Sequence, residues 1–185
     1  MKRLEAQSSV VIVVDLQERL MSAMPEGRAA EVVRAARLLC EGARLLDVPV
    51  LATQQYTKGL GPMVEPVERA LTAAGAERFE KLSFSALQAA GFSETFQRTR
   101  ATSAVVVGIE SHVCVFQTVR DLVDRYVDVH VAVDGVCSRD EQHRDIGLRL
   151  CERSGGVLTT AETVLFDWLA KAGTEEFKVI SRLVR

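Results

Sequence analysis

Ser103-Ala104-Val105-Val106-Val107-Gly108-Ile109-Glu110-Ser111-His112-Val113-Cys114 holds one repeat of the fold. Residues 103–107 are uncharged and mostly β-branched, as in a strand covered on both faces. The loop 108–113 follows. Then Val115-Phe116-Gln117-Thr118-Val119-Arg120-Asp121-Leu122-Val123 continues as a helix from about Cys114 to Arg125. A strand feeding a helix through a short loop is half of a β-α-β unit. Cys114 stands at the turn, facing the open end of the sheet. The unpaired amides and positive dipole end of the helix are expected to favour thiolate over thiol there.

The same alternation runs outward in both directions. Ser9-Val10-Val11-Ile12-Val13-Val14 is a continuous apolar run that stops at Asp15. Residues 28–47 place Val32, Val33, Ala36, Leu39, Ala43 and Leu46 at helical spacing. Val48-Pro49-Val50-Leu51-Ala52-Thr53 is a second strand, with Pro at its start. Residues 57–62 read as a loop, 65–73 as a short helix, and Arg78-Phe79-Glu80-Lys81 as a third strand. After a helix at 93–100 and the strand at 103–107 comes Val127–Val133. Ser138 to Glu141 reads as a capping box opening a helix to about Arg153. Gly156–Thr159 is a sixth strand, and a second capping box at Thr159–Glu162 starts a helix through Leu169. Glu175 to Val184 is amphipathic, and either packs back or meets a second subunit. Such alternation implies an α/β fold: a parallel sheet with helices on both faces and right-handed connections. Its ligand crevice lies beyond the carboxyl ends of the strands.

The 185 residues suit one domain spanning 1–185, and 48% hydrophobic content suffices for a sizeable core. A net charge of −2 with mixed signs argues against a nucleic-acid partner, which would require clustered Lys and Arg. No apolar run is long enough to span a bilayer, and the N-terminus has no signal-type apolar core. These features place the chain in the cytoplasm. Cys40, Cys114, Cys137 and Cys151 are far apart, with no C-x-x-C pair. Cys40, Cys137 and Cys151 read as core filler, although Cys137 follows a strand and could approach the site.

Three polar residues stand at strand ends: Asp15 after the first, Lys81 closing the third and Cys114 beyond the fourth. A carboxylate beside a thiol can take its proton and pass it to a leaving amine. An ammonium nearby keeps that carboxylate charged. Loop amides can bind an oxyanion. Together these form an acyl-transfer apparatus that needs no His and no metal or other cofactor.

The motifs Val13-Val14-Asp15-Leu16-Gln17, Glu80-Lys81-Leu82-Ser83-Phe84-Ser85-Ala86, Val107–Val115 and Asp134-Gly135-Val136-Cys137-Ser138-Arg139 occur in this order. With them the chain resembles the isochorismatase-like cysteine hydrolases over roughly residues 9 to 170. That resemblance implies a three-layer fold around a six-stranded parallel sheet of order 3-2-1-4-5-6. It implies the catalytic triad Asp15, Lys81 and Cys114, a cis peptide at Ile109-Glu110, and an oxyanion site formed by the amides of Glu110 and Cys114. The family's nicotinamidases carry an Asp and two His after the second strand. Here that stretch is Thr53-Gln54-Gln55-Tyr56-Thr57-Lys58, which implies a metal-free enzyme. The metal-free branch it is similar to is often homo-oligomeric. True isochorismatases lack the Cys, so Cys114 favours cleavage of an amide-type C–N bond in a small molecule. The alternatives are vinyl-ether hydrolysis of an isochorismate-like acid, for which Lys81 with Lys58 is a thin cation supply, and a non-catalytic scaffold. Gln17, Tyr56, Phe84 and Val113 neighbour the motifs and are candidate substrate-binding residues. His112 either faces the substrate or bonds to the loop backbone. His130 and His143 read as structural or solvated, since no two His share metal-ligand spacing.

Overall fold

Ser9–Val14, strand β1, is buried at every position, as a central parallel strand requires. Its side chains alternate between two cores. Val11 and Val13 join one, while Val10, Ile12 and Val14 join the other. The computed structural model describes residues 3–185. After β1 come α1 (Glu18–Met21), α2 (Glu26–Leu45), β2 (Val50–Gln55), α3 (Thr57–Leu60), α4 (Glu65–Ala73), β3 (Glu77–Lys81) and α5 (Phe92–Thr99). Then follow β4 (Ser103–Ile109), α6 (Phe116–Val123), β5 (Asp128–Cys137), α7 (Glu141–Arg153), β6 (Val157–Thr159), α8 (Ala161–Leu169) and α9 (Glu175–Leu183). The strands form one six-stranded sheet of order β3-β2-β1-β4-β5-β6, parallel throughout.

The helices make the outer two layers. Helices α2, α4, α8 and α9 bury Leu39, Leu71, Leu165 and Ile180 in the core that holds Val11. Helices α5, α6 and α7 bury Phe92, Leu122 and Cys151 in the core that holds Ile12. The strand order reverses between β1 and β4, and both run out at the same edge. That is where parallel α/β sheets open a crevice.

Several boundaries differ from the sequence reading, each for a local reason. β2 begins and ends two residues later than expected, since Gln54 and Gln55 still pair with Glu80 and Lys81. Residues 57–62 contain the single helical turn α3. β5 runs four residues beyond Val133 because the chain bulges there. Its register against β4 jumps from Val106↔Val131 to Gly108↔Val136. Two side chains brace the bulge, one from α7 and one from the bulge itself. Arg144 donates to the carbonyls of Val133 and Val136 at 2.6 and 3.2 Å, and Asp134 Oδ1 accepts from the Ala161 amide at 2.9 Å. Helix α7 is capped by Asp140, which accepts from the amides of Gln142 and His143, and not by Ser138. Helix α8 is capped by Thr160, one residue after the expected position. The expected helix from Cys114 begins at Phe116, with a π-helical turn over Ser111–Val115 before it.

Helix α9 packs back on its own chain. Ile180 is fully buried, Phe177 meets Phe166 edge-on at 6.2 Å, and Arg34 donates to the Val184 carbonyl at 3.0 Å. Ile180→Ala should therefore cost about 2–5 kcal/mol in urea unfolding. A loss below 0.5 kcal/mol would mean that α9 contributes nothing to the folded chain.

Candidate active site

Asp15 follows β1 with φ 52°, a left-handed conformation that Asp tolerates better than most residues. Its amide extends the ladder onto the Thr53 carbonyl at 3.0 Å, and its side chain is fully buried between strand ends. Lys81, the last residue of β3, reaches across β2 to it. Lys81 Nζ donates to Asp15 Oδ2 at 2.6 Å, with both side chains sealed from solvent. Thr53 Oγ1 donates to Asp15 Oδ1 at 2.8 Å. Each carboxylate oxygen therefore has its own donor. A buried charge needs such saturation to be tolerated.

Lys81 Nζ makes two further contacts, to Gln55 Oε1 at 2.7 Å and to the Ser83 carbonyl at 3.3 Å. Gln55 is the register partner of Lys81. It is held in turn by Gln17, whose side chain takes the Gln55 amide at 2.6 Å and donates to the carbonyls of Gln55 and Gly61 at 3.0 and 2.7 Å. Gln17 is fully buried, and its side-chain amide bonds the backbone of Gln55 and Gly61, bracing the strand end that carries Gln55. Thr53 and Gln55 were not singled out from sequence as site residues. They stand two apart at the end of β2, hence on one face, and that period-2 spacing at a strand's carboxyl end was the available signal.

Cys114 lies on the π turn after β4, 7% exposed. The Asp15 carboxylate and the Lys81 ammonium both lie near enough to act on its thiol. Burial pushes the thiol up to about 12; the Asp15 carboxylate adds to that and the Lys81 ammonium works against it. The cysteine therefore rests as a thiol. The thiolate expected from the helix end is outweighed by desolvation and the adjacent anion.

Close packing sets the path of the turn. The Ile109-Glu110 peptide is cis. Gly108 has φ +132°, and a Cβ there would lie 2.1 Å from the Val14 carbonyl oxygen. A Cβ on Gly147 of α7 would lie 2.6 Å from the His112 amide, so α7 presses directly on the turn. The Glu110 carbonyl accepts from Val113 and Val115 at 3.1 and 3.2 Å, skipping Cys114. Glu110 Oε2 takes the amide and Nε of Arg139 at 3.0 and 3.1 Å. Ser138, freed from capping, bridges Ser111 Oγ at 2.6 Å and His112 Nδ1 at 3.0 Å. His112 thus bonds to a side chain rather than to loop backbone, and its ring lies 4.7 Å from that of His143. Burial pushes His112 below the ordinary imidazole value, while the Glu110 carboxylate works the other way.

Tyr56 and Phe84 follow β2 and β3 on the same edge of the sheet and are about half exposed. Val113 is partly buried against the α6-side core. Cys137 lies in the opposite core, on the α2 side, away from the Cys114 layer. Surface clefts are present elsewhere. One at the amino ends of β4 and β5 is lined by Ser8, Thr102, Asp128 and His130. It lacks the ordered set of carboxylate, ammonium and thiol found at the strand ends.

Residues 9–163 match the isochorismatase domain. The chain belongs to the isochorismatase family. A curated relative, the "Secreted isochorismatase effector Isc1" of Phytophthora sojae, is 36% identical over 99% of this chain and 87% of its own length. A Caenorhabditis elegans structure described as "MAR1 Ribonuclease" superposes with a TM-score of 0.91 at 33% identity, covering 99% of this chain and 92% of that one. The Escherichia coli YcaC product, described as an octameric hydrolase of unknown specificity, gives 0.86 at 19% identity over 98% and 90%. The six-stranded sheet of order 3-2-1-4-5-6 is the isochorismatase fold. No described helix is long and apolar enough to cross a membrane.

A thiol held near 12 has a direct kinetic consequence. Alkylation of Cys114 by iodoacetamide, followed by peptide mass mapping, should keep rising about tenfold per pH unit from pH 7 to 10. An ordinary cysteine levels off above about pH 9. A plateau below pH 9 for Cys114 would show that the thiol is not held up.

Proposed function

We propose that this isochorismatase-family chain is a cysteine hydrolase that cleaves an amide-type C–N bond of a small molecule through a thioester on Cys114. The observation that carries the reading is the sealed Lys81–Asp15 pair beside the Cys114 thiol, which burial pushes up to about 12. A resting thiol needs a base at the moment of attack, and Asp15 is the adjacent anion. In the proposed course Asp15 takes the Cys114 proton as Sγ bonds to the carbonyl carbon. The amides of Glu110 and Cys114 receive the oxyanion. Asp15 then delivers the proton to the leaving nitrogen as the C–N bond breaks, leaving the thioester and a free amine. Water attacks the thioester, giving its proton to Asp15. The carboxylic acid departs, and the proton returns to Cys114. Lys81 stays bonded to Asp15 and holds its carboxyl group in place for each transfer. No metal or other cofactor takes part in this course.

Tyr56, Phe84, His112 and Val113 would shape the mouth of the pocket. Leu82, Phe84 and Tyr56 are exposed and follow the strand ends that carry Lys81 and Gln55, and a homo-oligomer like the octamer described for YcaC would help to cover them. Four free cysteines suit a reducing cytoplasm. A nucleic-acid substrate is disfavoured by the mixed charge of the chain.

Screening neutral amides with intact-mass detection tests the reading. A substrate should leave an acyl adduct on Cys114, and Cys114→Ala and Asp15→Asn should each lower kcat/KM by about a thousandfold or more. Full turnover by Cys114→Ala on that substrate would refute the mechanism.

A further inference from the structure

We infer that Gln55 is a specificity-determining residue that makes the site select uncharged molecules over carboxylates. The inference rests on the proposed reading only in taking Cys114 as the atom facing the bound molecule. An ammonium has three N–H donors and no acceptor. All three of Lys81's are engaged: by Asp15 Oδ2 at 2.6 Å, by Gln55 Oε1 at 2.7 Å and by the Ser83 carbonyl at 3.3 Å. Lys81 is the cation that acts on the thiol, and with its three donors taken it has nothing left for a ligand's carboxylate.

The orientation of Gln55 follows from its neighbours. Its Nε2 donates at 2.8 Å to the Leu82 carbonyl, which can only accept. Its Oε1 therefore faces Lys81, which can only donate. Gln17 fixes the Gln55 backbone from the other side through its amide and carbonyl. The side chain cannot turn its oxygen away from Lys81 without losing the Leu82 bond. Arg139 bonds Glu110 through its Nε and its backbone amide, with its side chain largely in solvent. A carboxylate arriving at Cys114 would meet the Asp15 anion with no free Lys81 donor to offset it, and its lost hydration would be replaced only by neutral loop amides. A neutral carbonyl compound has no such cost.

Two alkylating agents that differ mainly in charge test this on the intact protein. Iodoacetamide and iodoacetate are reacted separately with wild-type enzyme, and Cys114 labelling is followed by mass mapping. The rate ratio is normalised to that of an unfolded cysteine peptide. The wild type should favour iodoacetamide by about tenfold or more beyond the peptide's own ratio. Gln55→Leu removes the oxygen, frees one Lys81 donor and should shrink that preference about tenfold. Gln55→Glu keeps an acceptor on Lys81, adds an anion and should hold or widen it. A general loosening of the site would move both variants the same way, so a shared direction overturns the inference. So does a wild-type ratio equal to the peptide's, or an unchanged ratio in Gln55→Leu. If no amide is hydrolysed but these ratios hold, the hydrolase reading fails and the charge selection stands.

Discussion

Lys81 Nζ and Asp15 Oδ2 meet at 2.6 Å with both side chains sealed from water. Two ions removed from solvent are tolerated only where geometry and further hydrogen bonds offset the lost hydration, and breaking such a pair costs roughly 3–5 kcal/mol. That requirement organises the surrounding structure. β3 must lie beside β2 and β2 beside β1, so that the end of β3 is two strands from Asp15 and within a lysine's reach. Thr53 must occupy the second carboxylate oxygen, and Gln55 the second lysine donor. Gln17 then holds the strand end that carries Gln55. The chain Gln17–Gln55–Lys81–Asp15–Thr53 is one polar network in which each member satisfies the next.

The nucleophile is placed by the opposite kind of constraint, which is close contact. Gly108 lets β4 touch the Val14 carbonyl, and Gly147 lets α7 touch the backbone of the π turn. The bulge in β5 carries Ser138 and Arg139 up to that turn, where they engage Ser111, His112 and Glu110. The turn is therefore clamped from β1, β5 and α7 at once. Cys114 meets the ion pair only because these segments, distant in sequence, converge. Burial then sets its chemistry: the enclosure that aligns the thiol also keeps it protonated until a base acts.

Much of this was legible in the sequence. The apolar runs at 9–14 and 103–107 have no other plausible burial, and helical spacing over 28–47 identified α2 to within two residues. Asp15 and Lys81 could be picked out because each stands at the end of a strand, and Cys114 because it closes the short loop after one. Errors arose where a residue had two competing partners. Ser138 has the spacing of an N-cap, but Asp140 sits closer to the first free amides and takes them, leaving the serine to the nucleophile turn. β5 seemed to stop at Val133 because a bulge breaks the alternation on which strand reading depends. Gln17 stands out in the sequence because it adjoins Asp15. Only the tertiary structure reveals the bonds of its amide to Gln55 and Gly61.

The sequence by itself determined the layered α/β plan and the three strand-end residues, because hydrophobic periodicity and its interruptions are local signals. Tertiary structure alone decided the protonation of Cys114, the docking of α9 on its own chain, the bracing role of Gln17 and the saturation of Lys81. Each of these depends on burial and on which donor meets which acceptor. Both are settled only when segments up to about a hundred or more residues apart are brought together, at a cost in chain entropy that hydrophobic burial offsets.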